Sequence, residues 1–480
     1  PNSTVWPDGD VQSLSRDGSF VARHINVSRT GVAVQINAFN FPVWGMLEKF
    51  ASAFLAGVPT IAKPATPTAY VAEAAVRTIL ASGLLPEGSL QFVAGDITPI
   101  FSVLDEQDSL AFTGSATTAR SLRTIPAVLE RGVRFSAEAD SLNAAVLAPS
   151  AGPDTAEFGA FCDAVVGEMV AKAGQKCTAI RRVIVPDTHL DTVSDALVAR
   201  LEAITVGHPA DDATDMGALV GLDQRADVHA AVASVGARTV FAPELPGLDT
   251  ERGAFMAPTL LRAADPASSA AHVVEPFGPV STLLGYQDLD DAVALVAKGR
   301  GSLVASVFGP DTEETARITL GIAPFHGRVH TIDATSAAAS TGHGSPLPQL
   351  VHGGPGRAGG GEELGGVRSV LHHMQRTAVQ GSPDLVTAVT GEWVDGAARR
   401  HNGHPFTLFF DELEVGDCLD TEPRVITLED IEHFAHFTGD LFYAHMDDEA
   451  AKASPIFEGR VAHGYLVLSM AAGLFVWPDP

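Results

Sequence analysis

The sequence predicts an α/β protein of two or three domains, and three of its features support this. The chain has 480 residues, too many for one compact core at about 100–200 residues per domain. Strand-like and helix-like segments alternate through the first half, a pattern typical of parallel βαβ units. Between residues 342 and 405 the composition changes to Gly, Pro, His and polar residues. We therefore expect a domain boundary near residues 380–405.

The elements follow from short apolar runs bounded by Gly and Pro. The expected strands are residues 31–36, 58–63, 90–94 and 109–112, and the expected helices are residues 69–81 and 158–173. Residues 21–34 alternate between apolar and polar side chains, which fits either a strand that pairs subunits or an internal strand. After the polar linker, residues 406–410 predict a strand.

The charge balance excludes several classes of partner. Lys and Arg total 31 against 58 Asp and Glu, a net charge of −27. Such a surface repels phosphate backbones and anionic lipids, so we expect no nucleic-acid or membrane partner. No apolar run reaches the ~18–20 residues that cross a bilayer, and no leader opens the chain, which predicts a cytoplasmic protein. Because the chain starts at Pro1 and stops soon after an apolar run, we expect a fragment.

The three cysteines are too few to hold a chain of this length together through disulfides. Cys162 lies in an apolar helical run and Cys418 at a predicted strand start, so both are expected to be structural. Cys177 lies among small residues beside Lys176, and a nearby cation favours the nucleophilic thiolate. A single cysteine is more often structural than catalytic, so the surrounding motifs decide between the two interpretations of Cys177.

Cys177 lies in one of six motifs, each of which is weak alone. In chain order they are Asn37-Ala-Phe-Asn40-Phe-Pro, Phe54 to Lys63-Pro-Ala-Thr66-Pro, Ala111-Phe-Thr-Gly-Ser115, Phe135-Ser-Ala-Glu138, Gly174-Gln-Lys-Cys177 and Glu275-Pro-Phe277-Gly-Pro. As an ordered set over residues 30–380 they resemble the aldehyde dehydrogenase superfamily. That resemblance implies a Rossmann-like cofactor domain and a catalytic domain.

The resemblance also implies catalytic roles. Cys177 would attack the aldehyde and form a thiohemiacetal, from which hydride can leave. The Asn40 amide and the backbone N–H of Cys177 would stabilise the alkoxide. Glu138 would activate the water that hydrolyses the thioester, with its pKa raised by an apolar setting. No metal site is expected, because no Cys, His or carboxylate set has a recognisable ligand spacing.

The cofactor residues are likewise implied by the resemblance. Thr113, Gly114 and Ser115 resemble a strand-to-helix turn that receives a pyrophosphate. Lys63 would reach the adenine ribose or its phosphate, Glu275 the nicotinamide ribose, and Phe277 would pack near the ring. Many NAD-preferring relatives carry Glu where this chain has Thr66. A neutral side chain tolerates a 2′-phosphate, so NADP is the expected cofactor, with NAD possible.

The second half carries a different pattern, with Asp440 and His445 five positions apart after Thr438-Gly439. It resembles the MaoC-like, (R)-specific enoyl-CoA hydratase family of hot-dog domains, whose catalytic Asp and His these residues match. The resemblance also implies a central helix, which would be residues 461–475. A carboxylate and an imidazole acting on one water can share its activation. Five other histidines are expected to have no catalytic role: His352, His372, His373, His433 and His436.

Four regions result: residues 1–140 bind the cofactor, 141–385 form the catalytic part, 386–404 are a linker, and 405–480 form a truncated α+β hot-dog domain. The order of the halves resembles the bifunctional enzymes of phenylacetate degradation. This implies hydrolytic opening of oxepin-CoA, NADP-dependent oxidation of the resulting CoA semialdehyde, and a homo-oligomer. Two alternatives remain: a dehydrogenase of another aldehyde with a non-catalytic CoA-binding or assembly module, and a binding protein without activity.

Overall fold

The computed structural model describes residues 5–360, 366 and 368–476 of the chain. Its strands are β1 (Val5–Ser13), β2 (Val21–Ser28), β3 (Ala33–Ile36), β4 (Thr60–Lys63), β5 (Leu90–Phe92), β6 (Ser109–Thr113), β7 (Arg134–Glu138), β8 (Ala144–Leu147), β9 (Arg182–Pro186), β10 (Arg238–Phe241), β11 (Thr259–Arg262), β12 (Val280–Tyr286), β13 (Ser302–Phe308), β14 (His326–Ile332) and β15 (Met374–Gly381). Its α-helices are α1 (Trp44–Leu55), α2 (Ala69–Ala81), α3 (Ala116–Arg123), α4 (Pro126–Leu129), α5 (Ala156–Val170), α6 (Leu190–Glu202), α7 (Leu222–Val235), α8 (Leu289–Ala297), α9 (Thr312–Ile322), α10 (Arg368–His372), α11 (Pro383–Thr390), α12 (Leu428–Thr438), α13 (Tyr443–Met446), α14 (Asp448–Ala453) and α15 (Gly464–Phe475).

A five-stranded parallel sheet of order β5-β4-β3-β6-β7 forms the first layer, as the βαβ alternation predicted. The expected strands lie within two residues of β3 to β6, and α2 covers the predicted residues 69–81. Parallel pairing brings the carboxyl ends of these strands to one edge. Lys63, Thr113 and Glu138 are the last residues of β4, β6 and β7, and Thr113 is the register partner of Glu138.

A seven-stranded sheet of order β10-β11-β12-β9-β8-β13-β14 forms the second layer, with only the β10–β11 pair antiparallel. Helix α5 packs on it around Phe161, Cys162 and Val165, which are fully buried. Cys162 is therefore a core residue, as predicted. The helix ends before the expected residue 173 because Lys172 and Ala173 adopt left-handed backbone conformations.

The chain divides into two compact units, and the predicted domain limits stay a prediction. The first unit is mostly Asn26–Arg376, and the second combines Trp6–Ile25 with the residues from Thr377 onward. Strand β2 lies between β1 and β15 in a three-stranded sheet. The alternating segment at residues 21–34 therefore begins with an internal strand. The N-terminal residues 6–25 therefore group with the later segment and not with the cofactor region, residues 1–140.

The predicted strand at residues 406–410 is wrong. Short 3₁₀ turns occupy Pro405–Thr407 and Phe410–Glu412, because Pro405 starts a turn that His404 caps by accepting the N–H of Phe406. Within residues 405–476 the structure has helices α12–α15 and no strand, and α15 covers most of the helix expected at residues 461–475. Helix α11 occupies part of the expected linker at residues 386–404. Among the described residues, no helix is both long and apolar enough to cross a membrane.

Candidate active site

Cys177 follows a strained turn that ends α5. Lys172 and Ala173 have φ angles of 53° and 52°, and Gly174 has a φ of 67°. A left-handed conformation costs a non-glycine residue about 1 kcal/mol, so the surrounding packing must hold this turn in place. A side chain at Gly174 would collide with the carbonyl of Gly278. The glycine thus allows the segment that carries Glu275 and Phe277 to lie directly beside the approach to Cys177.

Asn40, Glu138 and Cys177 line one cavity of about 700 Å³. The Cys177 thiol donates a hydrogen bond to the Glu138 carboxylate at the end of β7. The same three residues line a narrower neighbouring cavity together with Trp44 and Glu48 of α1. The structure therefore brings together the thiol, the carboxylate and the amide that the sequence singled out.

His352 also belongs to this cluster, although the sequence interpretation gave it no catalytic role. Its Nε2 lies 3.2 Å from Oε2 of Glu138. Its side chain is 5% exposed, and its ring meets the Trp44 ring edge-on at 5.5 Å. The one available signal was its place in the Gly-rich stretch at residues 342–366, which is typical of either a surface loop or an active-site loop.

The pKa of Glu138 is lowered to about 2, and the expected rise is therefore wrong. Burial alone would raise it, but the charge and hydrogen bond of His352, the charge of Lys49 and the hydrogen bond from Cys177 together outweigh burial. In turn, Glu138 raises the pKa of His352 against the opposing effect of burial. Burial also raises the pKa of Glu48 to about 7. The narrower cavity is thus lined by two different carboxyl groups: Glu138 is ionised, and Glu48 titrates near neutrality.

The pKa of the Cys177 thiol is raised well above its usual value, so the expected thiolate beside Lys176 is also wrong. Burial is the largest cause, followed by the charge of Glu138 and its hydrogen bond. Lys176 lowers this pKa only weakly, and its Nζ is paired with Glu168 Oε1 at 2.8 Å. At rest, a neutral thiol faces a carboxylate that can accept its proton.

The larger cavity continues to the residues expected at the cofactor. Lys63, the Thr113-Gly114-Ser115 turn, Glu275 and Phe277 all line it. Thr66 is not among the residues that line this cavity, although its neighbour Ala65 is. The Thr66 side chain is exposed at the start of a short 3₁₀ turn. The structure thus places these expected cofactor residues, except Thr66, along one wall.

Three charged residues that the sequence analysis did not assign also meet this wall. Arg357 and Asp140 line the cavity, with Nη2 3.4 Å from Oδ2, and Asp140 Oδ1 accepts the Ala116 N–H at the start of α3. Arg181 Nε lies 3.4 Å from Glu275 Oε1, and its guanidinium lies 5.4 Å from the Phe277 ring centre. Burial raises the pKa of Glu275 to about 7 although Arg181 opposes the rise.

A nicotinamide dinucleotide fits these residues. Thr113 Oγ1 is a buried hydroxyl without a hydrogen-bond partner among the described residues. It lies at the carboxyl end of a parallel sheet, where dinucleotides bind in folds of this kind. Lys63 and Arg357 add positive charge to the same cavity for an anionic ligand. We therefore treat this wall as the candidate cofactor site.

A second cluster lies in the C-terminal segment, where Asp440 and His445 are joined by His463. Their ligand atoms lie within 4.8 Å of one another. The His445 and His463 rings stack with centres 3.7 Å apart, and His463 Nε2 lies 3.0 Å from the Asp440 carbonyl oxygen. His463 is 2% exposed. The sequence analysis assigned no role to His463, although it lies in the Ala-His-Gly-Tyr run that follows the recognised pattern.

The Asp440, His445 and His463 cluster is one of two sets of potential metal ligands among the described residues. Glu138, Cys177 and His352 form the other set in the described part of the chain whose ligand atoms approach within 4.8 Å. In that set Glu138 and His352 already pair with each other. The expectation of no metal site stays a prediction.

Comparisons with known proteins address the family. A family model described as the aldehyde dehydrogenase family matches residues 13–377, and one described as a MaoC-like domain matches residues 412–478. The chain is 43% identical to a 3,4-dehydroadipyl-CoA semialdehyde dehydrogenase of Aromatoleum evansii over 72% of this chain and 69% of that protein. It is 49% identical to Protein MaoC of Klebsiella aerogenes over 54% of this chain and 78% of that protein.

The fold also resembles solved structures. A betaine aldehyde dehydrogenase double mutant from Staphylococcus aureus in complex with NAD+ superposes with a TM-score of 0.67. The alignment covers 82% of this chain and 74% of that one at 21% sequence identity. At this identity the likeness concerns the fold alone.

Proposed function

Because the chain belongs to the aldehyde dehydrogenase family and carries a MaoC-like domain after it, we propose that it is a bifunctional enzyme of phenylacetate catabolism, a PaaZ-type fusion. The C-terminal part opens the ring of oxepin-CoA by hydrolysis. The dehydrogenase part then oxidises the resulting 3-oxo-5,6-dehydrosuberyl-CoA semialdehyde to the acid with NADP. The observation that carries the oxidation step is the convergence of Asn40, Glu138 and Cys177 on one cavity.

In the first chemical step, Glu138 takes the thiol proton while the Cys177 sulfur attacks the aldehyde carbon. The product is a thiohemiacetal, whose alkoxide accepts hydrogen bonds from the Asn40 side chain and the Cys177 backbone N–H. One such donor contributes roughly 3–4 kcal/mol to catalysis. Both groups lie on the first unit of the fold, in the same cavity as the thiol.

Lys63, Thr113, Gly114, Ser115, Glu275 and Phe277 would hold a nicotinamide cofactor, which supplies the hydride acceptor when bound. Once the acyl group is a thioester on Cys177, Glu138 removes a proton from a water molecule. That water attacks the thioester carbon, the C–S bond breaks, and the acid leaves. Between the two steps the Glu138 carboxyl releases the thiol proton to solvent, so that it is a carboxylate again when it meets the water. The Cys177 thiolate set free by the C–S cleavage then recovers a proton from the Glu138 carboxyl.

The preference for NADP rests on charge. Lys63 lines the cavity, and the neutral Thr66 follows three residues later, so no carboxylate at position 66 repels a 2′-phosphate. Asp96 opposes this preference, since its carboxylate interacts electrostatically with Lys63. Steady-state rates with both cofactors decide: a higher kcat/KM with NADP supports the preference, and equal values contradict it.

The substrate class is supported by the Aromatoleum evansii relative, which is named as a CoA-semialdehyde dehydrogenase. Ring opening is assigned to Asp440 and His445, which lie close enough to act on one water. Water added across a cyclic enol ether gives a hemiacetal, which opens to an aldehyde. The first product is then the substrate of the second reaction, so one assembly limits the loss of a reactive aldehyde.

The test incubates the chain with oxepin-CoA, with and without NADP, and identifies products by mass. We expect semialdehyde without NADP and acid with it. Cys177→Ala stops at the semialdehyde, and Asp440→Asn leaves the ring intact while supplied semialdehyde is still oxidised. If the ring stays intact with the unmodified chain but semialdehyde is oxidised, the C-terminal part is a non-catalytic CoA-binding or assembly module.

Three further parts of the proposal concern organisation. We place the enzyme in the cytoplasm, as a homo-oligomer. The cofactor region ends near residue 140, where the five-stranded sheet ends with Glu138. Light scattering of the purified chain gives the oligomeric mass, and a monomer at micromolar concentration would contradict the assembly.

A further inference from the structure

His352 is held against Glu138 by the loop that carries it. The Ala139 N–H donates to the Ala358 carbonyl at 3.0 Å, immediately after β7 ends. A side chain at Gly359 would collide with the Ala137 carbonyl of β7. The loop that follows His352 therefore lies directly on the strand end that presents Glu138. This close approach anchors the loop that carries His352 beside the strand that carries Glu138.

Several titratable groups act on His352: carboxylates and an ammonium of β7 and α1, and the Cys177 thiol, whose sulfur lies within 4.8 Å. Glu138 at the end of β7 forms the ion pair. Glu48 and Lys49 of α1 act on His352 electrostatically, with Glu48 favouring and Lys49 opposing its charged form. The Trp44 ring of α1 packs edge-on against the imidazole. Since both members of the pair are largely buried, solvent screens their interaction weakly.

We propose that His352 is a positioning residue for Glu138: its imidazole fixes the carboxylate against Cys177, and its charge sets how strongly that carboxylate attracts the thiol proton. This inference rests on the proposed dehydrogenase function and deepens it. The chemistry involves one proton transfer: the S–H bond of Cys177 breaks, an O–H bond forms on Glu138, and the sulfur is left as a thiolate.

The charge of His352 controls the basicity of Glu138 through electrostatics. An imidazolium at 3.2 Å stabilises the carboxylate and makes it a weak base. When the imidazole loses its proton, the stabilisation by its charge disappears, so Glu138 becomes a stronger base, although the charge of Lys49 and the hydrogen bond from Cys177 still favour the carboxylate. Because the pKa of His352 is raised, the change occurs above pH 6.5, its usual value. Thiol activation should therefore increase as the pH rises through that point.

The test measures alkylation of Cys177 by iodoacetamide from pH 5.5 to 9, read by mass spectrometry of the Cys177 peptide. We expect an inflection above pH 6.5 across which the rate rises about tenfold, as a base stronger by a few pKa units gives in general-base catalysis. His352→Gln keeps a hydrogen-bond donor without the charge, and His352→Phe keeps a ring against Trp44. Both variants should lose the inflection. An unchanged profile in both would overturn the proposal.

Three further variants separate this role from neighbouring titrations. Glu48→Gln removes the group that titrates near pH 7, and the inflection must persist in it. Glu138→Gln must remove the inflection, and adding His352→Gln to it must change nothing further, since His352 acts through Glu138. Loss of the inflection in Glu48→Gln alone would assign the titration to Glu48 and overturn the proposal.

The assay uses neither aldehyde nor cofactor, so its result is independent of the proposed reaction. If the semialdehyde is oxidised while the alkylation profile ignores His352, only the present inference fails. If the inflection depends on His352 but no aldehyde is oxidised, only the proposed function fails.

Discussion

Asn40 offers a residue-scale test of the candidate site, because its side chain would act only on the alkoxide. We expect Asn40→Ala to lower kcat about 10²–10³-fold, the usual cost of removing one oxyanion donor. Alkylation of Cys177 should continue at a rate close to that of the unmodified chain, which controls for misfolding. A loss of less than tenfold with intact alkylation would exclude Asn40 as an oxyanion donor.

The protonation states at the site differ from those expected from neighbours in sequence. Lys176 precedes Cys177 in the chain, yet its ammonium pairs with Glu168, and the thiol faces Glu138. His352 is 214 positions from Glu138, and no local pattern links the two. Electrostatic effects depend on distance and burial, so the direction of a pKa shift requires the folded contacts.

At the scale of elements, helix α12 positions Asp440 through its C-terminal cap. Gly439 has a φ of 80° and its N–H donates to the Ala435 carbonyl at 2.8 Å, so the chain leaves the helix one residue before Asp440. Glycine adopts this conformation without the Cβ strain that other residues meet. The Thr438-Gly439 pair of the sequence pattern therefore has a mechanical role.

We expect Gly439→Ala to destabilise α12 by about 1 kcal/mol, because alanine is strained in a left-handed conformation. Gly473 lies inside α15 with open space around it, so Gly473→Ala should stabilise α15 by about 1 kcal/mol. Hydrogen exchange of the amides in each helix, read by mass spectrometry, measures both effects. If both variants changed the stability of their helix in the same direction, this account of the Gly439 cap would be contradicted.

At the scale of the whole molecule, buried histidines should make stability depend on pH. Burial is the largest cause that lowers the pKa of four of them to about 4 or about 3: His272, His326, His372 and His373. The unfolded chain binds protons at these groups below pH 6.5, whereas the folded chain does so only near pH 4. Stability is therefore fully present above pH 6.5 and is lost as the pH falls towards 4. Glu48 and Glu275 oppose part of this loss, because their pKa values are raised to about 7.

His373 allows a differential measurement of this effect. Its own contribution to the loss between pH 7.5 and 5 is roughly 2 kcal/mol, since the unfolded imidazole gains a proton that the folded one excludes. The free energy of unfolding in urea should thus fall less in His373→Gln than in the unmodified chain. His229 is exposed on α7, and His229→Gln should show the full loss. Equal losses in all three proteins would contradict the assignment.

The amino-acid sequence by itself determined the α/β alternation, the parallel βαβ units with four of the five strands of the first sheet, helix α2, and the presence of Asn40, Glu138 and Cys177 as an ordered set. These depend on periodicity and on motifs, which are local properties of the chain. Only the tertiary structure decided which strand ends meet at one edge, that residues 6–25 leave the cofactor region, and that His352 faces Glu138. Such contacts join residues far apart in sequence, and their charges act through space, so their strength is fixed only once the chain has folded and excluded water around them.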